Sequence, residues 1–145
     1  MKEESIAKWI SILHRQFQIY LNRELKEHDI HSAEYIFLVN LDEESGVSQE
    51  HLSSNLYINK AATARAIARL EQRGYIKRIR DPLDNRAYLV TLTTKGLEMK
   101  NFIQVRLAYW TQTITADLTV EEKDDMIHKI KKMSAYALAE TKRGV

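Results

Sequence analysis

The chain has 145 residues, 44% of them hydrophobic and 29% charged, enough for one compact core, and a single domain over residues 1–145 is expected. Its 22 basic and 20 acidic residues leave a formal charge of only +2, which argues against a generic polyanion binder. The absence of cysteine excludes disulfides, thiolate zinc sites and thiol-based peroxide sensing, and with neither a signal peptide nor a bilayer-spanning run legible, a cytoplasmic protein with no membrane partner is expected.

In chain order, Ile6, Trp9, Ile10, Leu13, Phe17, Tyr20, Leu21 and Leu25 recur at steps of three and four, the spacing of one face of a long first helix running to about Lys26. After His28-Asp29-Ile30, Ser32 is placed to cap a second helix containing Tyr35, Ile36, Val39 and Leu41, which stops in the polar run Asp42 to Gly46. Ser48 can cap a short third helix through Leu52 to Leu56, and Asn59 a fourth that ends at Gly74. With Gly74 just past the last helical residue, Leu70 and Tyr75 fall at the positions that touch in a Schellman cap. Two strands follow, Tyr75 to Arg80 and Ala87 to Thr93, joined by the turn Asp81-Pro82-Leu83-Asp84-Asn85. In the second strand Tyr88, Val90 and Leu92 alternate with Leu89 and Thr91. Thr93 or Thr94 can open a long fifth helix with Met99, Phe102, Ile103, Leu107, Trp110 and Ile114 on one stripe. Thr119-Val120-Glu121-Glu122 is a capping box for a sixth helix, expected to bury Met126, Ile127, Ile130, Met133 and Ala137.

Helix, turn, helix and basic hairpin in this order predict a winged helix-turn-helix within a chain that is mainly α with a small β-hairpin wing. Charge is concentrated there: from Asn59 to Gly96 nine basic residues face three acidic ones, a local charge of +6 that leaves −4 for the remainder. On the fourth helix Arg65, Arg69 and Gln72 fall nearly opposite Thr63, Ile67 and Leu70, and the outward face is otherwise Ala61, Ala62 and Ala68. Small residues let a helix backbone approach a groove floor, and arginine can fork onto guanine O6 and N7. In the hairpin, Lys77, Arg78, Arg80 and Arg86 extend the basic surface; an arginine near the tip can enter a narrow minor groove, and Asp84 can orient the Arg86 guanidinium by a bidentate pair. The competing readings are a solvated helix face and an ordinary Asp-rich turn.

These residues resemble the MarR-type (multiple antibiotic resistance regulator) family. The wing Asp84-Asn85-Arg86-Ala87-Tyr88-Leu89-Val90-Thr91-Leu92-Thr93 fits that family's D-x-R-x-x-x-V-x-L-T pattern at every specified position. Upstream, Leu70-Glu71-Gln72-Arg73-Gly74-Tyr75-Ile76 is similar to its L-E-x-x-G join between recognition helix and wing, and Thr93-Thr94-Lys95-Gly96 to its opening of the next helix. The resemblance implies a winged helix-turn-helix over about residues 32–96 and a helical dimerisation region over about 1–30 and 94–142. It also implies a homodimeric transcriptional regulator, commonly a repressor, on double-stranded DNA with a pseudo-palindromic operator. Lys60, Thr63 and Arg65 fall where the family's recognition helix makes contacts, and Arg86 where its wing-tip arginine sits. Ala64 replaces a small hydroxyl residue often found there. With the caps and flanking basic residues, the expected DNA-binding set is Ser48, Asn59, Lys60, Thr63, Arg65, Arg69, Arg80, Asp84, Asn85 and Arg86.

Members of the family often respond to small anionic aromatics, and His14, Arg15, Tyr35 and Trp110 are the residues here that could hold one; the alternative is core aromatics beside a snorkelling arginine. His28-Asp29-Ile30-His31 is the nearest approach to a metal motif and lacks further ligands nearby, so neither metal nor cofactor is expected. No nucleophile-base grouping or phosphate-cradling glycine loop is legible, which disfavours an enzyme. A winged helix used as a protein-docking module is the remaining alternative, against which the basic segment speaks.

Overall fold

The computed structural model describes residues 4–142. These form two compact units that divide within one long helix, between Ala108 and Tyr109. In the first unit, α1 (Ile6–Leu25) runs into a 3-10 turn at Lys26–His28 that ends on Asp29 in the left-handed region, φ 55°. α2 (Tyr35–Val39), α3 (Gln49–Leu56) and α4 (Lys60–Gln72) follow, then the antiparallel strands β1 (Ile76–Asp81) and β2 (Asp84–Leu92) and the start of α5 (Thr94–Ile114). The second unit holds the end of α5 and α6 (Val120–Lys142). The core lies wholly in the first unit, where Leu21, Leu25, Phe37, Leu38, Leu41, Ile67, Leu70, Ile76, Leu92 and Ile103 are almost completely removed from water.

Most stop and start signals act as the local chemistry dictates. The Ser48 hydroxyl accepts the His51 N–H (3.0 Å) and the Asn59 side chain accepts the Ala62 N–H (2.7 Å), so both helices of the helix-turn-helix carry their own N-caps. At the end of α4, Gly74 takes φ 81°, its N–H reaches Glu71 O at 3.0 Å and the Tyr75 N–H reaches Leu70 O at 3.0 Å. That pair of bonds is the Schellman motif, and it requires a residue tolerant of positive φ. In the second unit Thr119 and Glu122 exchange reciprocal bonds of 3.1 Å, the capping box of α6.

Four expectations are corrected. Ser32 does not cap α2: its N–H donates to Asn22 Oδ1 (2.7 Å), and the helix starts later, at Tyr35, behind Glu34. Leu41 lies beyond the end of that helix yet is buried. The wing turn is tighter than the five-residue reading, with only Pro82 and Leu83 between the strands; Asp81 pairs with Asp84, and a register shift after Arg80 pushes residues 85–87 out as a bulge. Finally, no side chain of α6 is buried; Met126, Ile127, Ile130 and Met133 are all exposed in the isolated chain.

The base of β2 is covered on both sides, so its alternation does not translate into alternating burial: Val90, Thr91 and Leu92 are all buried. Val47 bridges Val90 through both backbone bonds (3.2 and 2.7 Å), and the Leu92 N–H reaches Asp42 O at 2.8 Å. The segment leading into α3 thus acts as a short third strand. Gly96 closes the other side, because a Cβ there would sit against the Tyr75 carbonyl oxygen. Backbone cannot yield as a side-chain tip can, so Gly96→Ala is expected to lower unfolding free energy by about 1–3 kcal/mol, measured by urea denaturation; an unchanged midpoint would show that the start of α5 can shift freely.

Candidate nucleic-acid interface

α4 is the second helix of the helix-turn-helix and is sorted cleanly by burial. Thr63, Ala66, Ile67 and Leu70 face the core, while Lys60, Ala61, Ala64, Arg65, Ala68, Arg69 and Gln72 face water. Alanines around the arginines leave the backbone of this face close to anything that lies against it. Thr63 is corrected by this geometry: it is only 1% exposed and its hydroxyl donates to Asn59 O (2.9 Å), so it braces the first turn of the helix from inside.

The +6 segment is less free than its count, because three carboxylates from outside it fold back onto its cations. Arg73 bonds Asp29 (3.0 Å) and Glu34 (3.0 Å), Arg69 lies 3.5 Å from the same Glu34 oxygen, and Lys60 lies 3.3 Å from Glu50. Arg78 pairs with Glu71 at 3.3 Å. Two further cations serve backbone carbonyls: Lys95 Nζ donates to Arg73 O (2.5 Å) above the Tyr75 ring, and Arg80 Nη1 donates to Asn85 O (2.6 Å) with its guanidinium over Tyr88. Arg65, Lys77 and Arg86 remain exposed, with side chains unpaired among the described residues. An unpaired, solvated guanidinium can meet a phosphate or a base edge without first breaking an internal bond.

The wing is shaped by its own polar groups. Asp81 accepts the Leu83 N–H (2.9 Å), and Asp84 accepts the Arg86 N–H (3.0 Å). Asp84 therefore orients the backbone at Arg86 through an Asx-type turn, in place of the expected bidentate bond to the guanidinium. Arg80, bonded to Asn85 O across the bulge, holds the segment that presents Arg86.

Sequence reading missed Glu34, which has no exposed surface. One oxygen accepts the His31 N–H (3.2 Å) and the other meets Arg73 and Arg69. The available signal was its spacing: Glu34, Phe37, Leu38 and Leu41 stand at i, i+3, i+4 and i+7, so a carboxylate shares the apolar face and must find cations there, and Arg69 and Arg73 are one helical turn apart.

The residues named for an effector are dispersed in character. His14 and Arg15 are exposed on α1, and Arg15 bonds Ser11 Oγ (2.5 Å). Tyr35 packs edge-on against Phe17 with ring centroids 5.5 Å apart, and burial raises its phenol above the usual pKa. Trp110 lies half-buried in the second unit. His28 and Asp29, half of the possible metal motif, are engaged otherwise: His28 packs on Phe102 and accepts the Tyr75 O–H through its carbonyl (2.8 Å), and Asp29 is paired with Arg73. Among the described residues no helix is long and apolar enough to cross a membrane.

A capped helix-turn-helix with a free arginine on its second helix, followed by a bulged hairpin with another, defines a winged DNA-binding module. Residues 30–88 match the MarR family model. The fold superposes on a MarR transcriptional regulator from Methanosarcina mazei Go1 with a TM-score of 0.81 and 34% identity, covering 92% of this chain and 96% of that one. The chain is 28% identical to the HTH-type transcriptional regulator BilQ of Clostridioides difficile (strain CD3), over 90% of this chain and 88% of that protein. It also shares its fold with the S. aureus MepR-DNA complex structure, with a TM-score of 0.82 at 20% identity, covering 92% of this chain and 98% of that one. The chain belongs to the MarR family and is a DNA-binding transcriptional regulator of the winged helix-turn-helix type, a family without enzymatic activity.

Arg65 and Arg69 should separate when tested side by side. Arg65→Ala is expected to cost about 1–3 kcal/mol of operator affinity if the side chain reads a base, with unfolding free energy unchanged within about 0.5 kcal/mol. Arg69→Ala is expected to lower stability by loosening the Glu34 cluster and to change affinity less. Denaturation and binding measured on both variants decide this, and equal affinity losses would return Arg69 to the groove-facing set.

Proposed function

We propose that the protein is a homodimeric repressor that covers a pseudo-palindromic operator, with α4 of each subunit in a major groove and Arg86 of each wing in the adjoining minor groove. The observation that carries the reading is the pair of exposed arginines whose side chains are unpaired among the described residues, Arg65 on α4 and Arg86 on the wing. Lys60 stands at the first turn of α4, where it can exchange its surface pair with Glu50 for a phosphate. Ser48 and Asn59 act by fixing the starts of α3 and α4, and Arg80, Asp84 and Asn85 by shaping the wing. Residues of about 32–96 form the DNA-binding part, and about 1–30 and 94–142 the dimerisation part. A dimer seated on a promoter excludes the transcription machinery from it, which is repression by occupancy. The edge contact of Tyr35 with Phe17 favours the packing role for that aromatic over an effector-binding one.

Two-fold assembly is supported by what the single chain leaves in water. On α1, Trp9, Ile10 and Leu13 are each about half exposed, and α6 exposes Ile127, Ile130 and Met133 along one stripe. Soluble monomers rarely leave stripes of this kind uncovered, and a closed pair of identical chains covers both copies at once.

The test is selection of a duplex from a random-sequence pool, followed by salt titration of binding. A two-fold symmetric footprint and affinity falling steeply with salt are expected; Arg86→Ala should weaken binding and reduce the magnitude of the log-log salt slope by about 1. Failure to select any duplex, or an Arg86→Ala variant as tight as wild type, would overturn the interface. Sedimentation should give twice the chain mass, and Ile130→Glu together with Ile10→Glu should give monomers; a wild-type monomer at micromolar concentration would remove the dimer.

A further inference from the structure

The turn between α3 and α4 contains a residue that the fold itself has no reason to choose. α3 ends at Leu56, and Tyr57 then adopts φ 56° and ψ 40°. Its N–H reaches Ser53 O, as does the Ile58 N–H at 3.1 Å, while the Ser53 hydroxyl returns a bond to Ile58 O. This is a left-handed helix C-cap, a position suited to glycine and tolerated by asparagine or aspartate. Among the described residues Asp29 is the other non-glycine with positive φ, and its short carboxylate is used by Arg73. A bulky aromatic residue at such a position is strained.

Among the described residues the Tyr57 side chain makes no hydrogen bond that offsets that strain. Tyr57 is 66% exposed, so it adds little to the core, and its hydroxyl has no hydrogen-bond partner among the described residues. It stands two residues ahead of the Asn59 cap and three ahead of Lys60, in the turn that leads into the helix whose exposed face carries Arg65. A phenol joins an apolar ring to a neutral O–H donor. Tyrosine hydroxyls are among the groups that bond DNA phosphate oxygens and hold a protein in register on the duplex.

We infer that Tyr57 is a DNA-backbone contact, its ring lying against the sugar and its hydroxyl donating to a phosphate next to the groove that receives α4. This rests on the groove-facing reading of α4 above and adds a residue to it. It makes the turn a place where folding stability has been exchanged for binding: glycine suits the backbone better, and tyrosine suits the duplex.

The experiment measures two properties of Tyr57→Gly and Tyr57→Phe. In urea, Tyr57→Gly is expected to unfold at a higher midpoint than wild type, and Tyr57→Phe at the wild-type midpoint. On the duplex selected by the wild-type protein, both variants should bind about tenfold more weakly, the effect of losing one hydrogen bond to a charged acceptor. The salt slope should stay unchanged, because a neutral donor displaces no counterion. Either variant binding within about twofold of wild type overturns the inference, as does a lower midpoint for Tyr57→Gly. Arg86→Ala in the same titration separates the two levels: if it loses affinity while the Tyr57 variants do not, only the Tyr57 contact fails. If the wild-type protein selects no duplex, the groove-facing reading of α4 and this contact fail together.

Discussion

The arrangement of the DNA-binding part depends on one carboxylate from which water is wholly excluded. Glu34 precedes α2 and would be strongly destabilising if left alone in the core. It is satisfied from three directions, by the His31 N–H and by the guanidiniums of Arg73 and Arg69. Arg73 reaches on to Asp29, so the chain around the α1–α2 junction is tied to the last turn of α4. Both arginines reach water along part of their length, which reduces the desolvation penalty that makes fully buried ion pairs poor stabilisers. The cluster ties the last turns of α4 to the residues before α2, in the orientation that leaves Arg65 facing outward.

A second junction carries that orientation from α4 into the wing. Thr93 Oγ1 donates to Gly74 O (2.5 Å) and accepts the Gly96 N–H (3.0 Å), and the Thr93 N–H reaches Tyr75 O at 3.1 Å. The end of the recognition helix, the root of the hairpin and the first turn of α5 therefore share one set of backbone groups. Lys95 adds a bond to Arg73 O and lies 4.3 Å from the centre of the Tyr75 ring. Val47, bridged to Val90, attaches the segment before α3 to the same hairpin. Helix and wing are thereby tied together, with Arg65, Lys77 and Arg86 as the cations of this segment whose side chains are unpaired among the described residues.

The distribution of apolar surface complements this. The buried core runs from Tyr20 to Ile103, so the beginning of α1 and all of α6 contribute nothing to it. Their apolar stripes are the reserve from which the proposed dimer is made. In the proposed dimer these surfaces would set the spacing of the two reading heads.

Much of this was legible from neighbouring residues. The caps at Ser48 and Asn59, the Thr119–Glu122 box, the Schellman stop at Gly74 and the hairpin all involve groups within a few residues of one another, and the wing pattern named the family. Which cations remain free was not legible: Arg69 and Arg73 are neutralised by residues about forty positions earlier in the chain, and Thr63 is turned inward by its own helix. The Ser32 cap failed because the chain enters α2 only at Tyr35, behind Glu34, while the Ser32 N–H is held by Asn22 on α1. The sequence by itself determined the order of elements, the ends of α3 and α4, the start of α6 and the concentration of positive charge, because these follow from short-range geometry and composition. Only the tertiary structure decided which face of α4 carries usable charge and how the wing presents Arg86, because long-range pairing and backbone bulging depend on groups that meet only when the chain has folded.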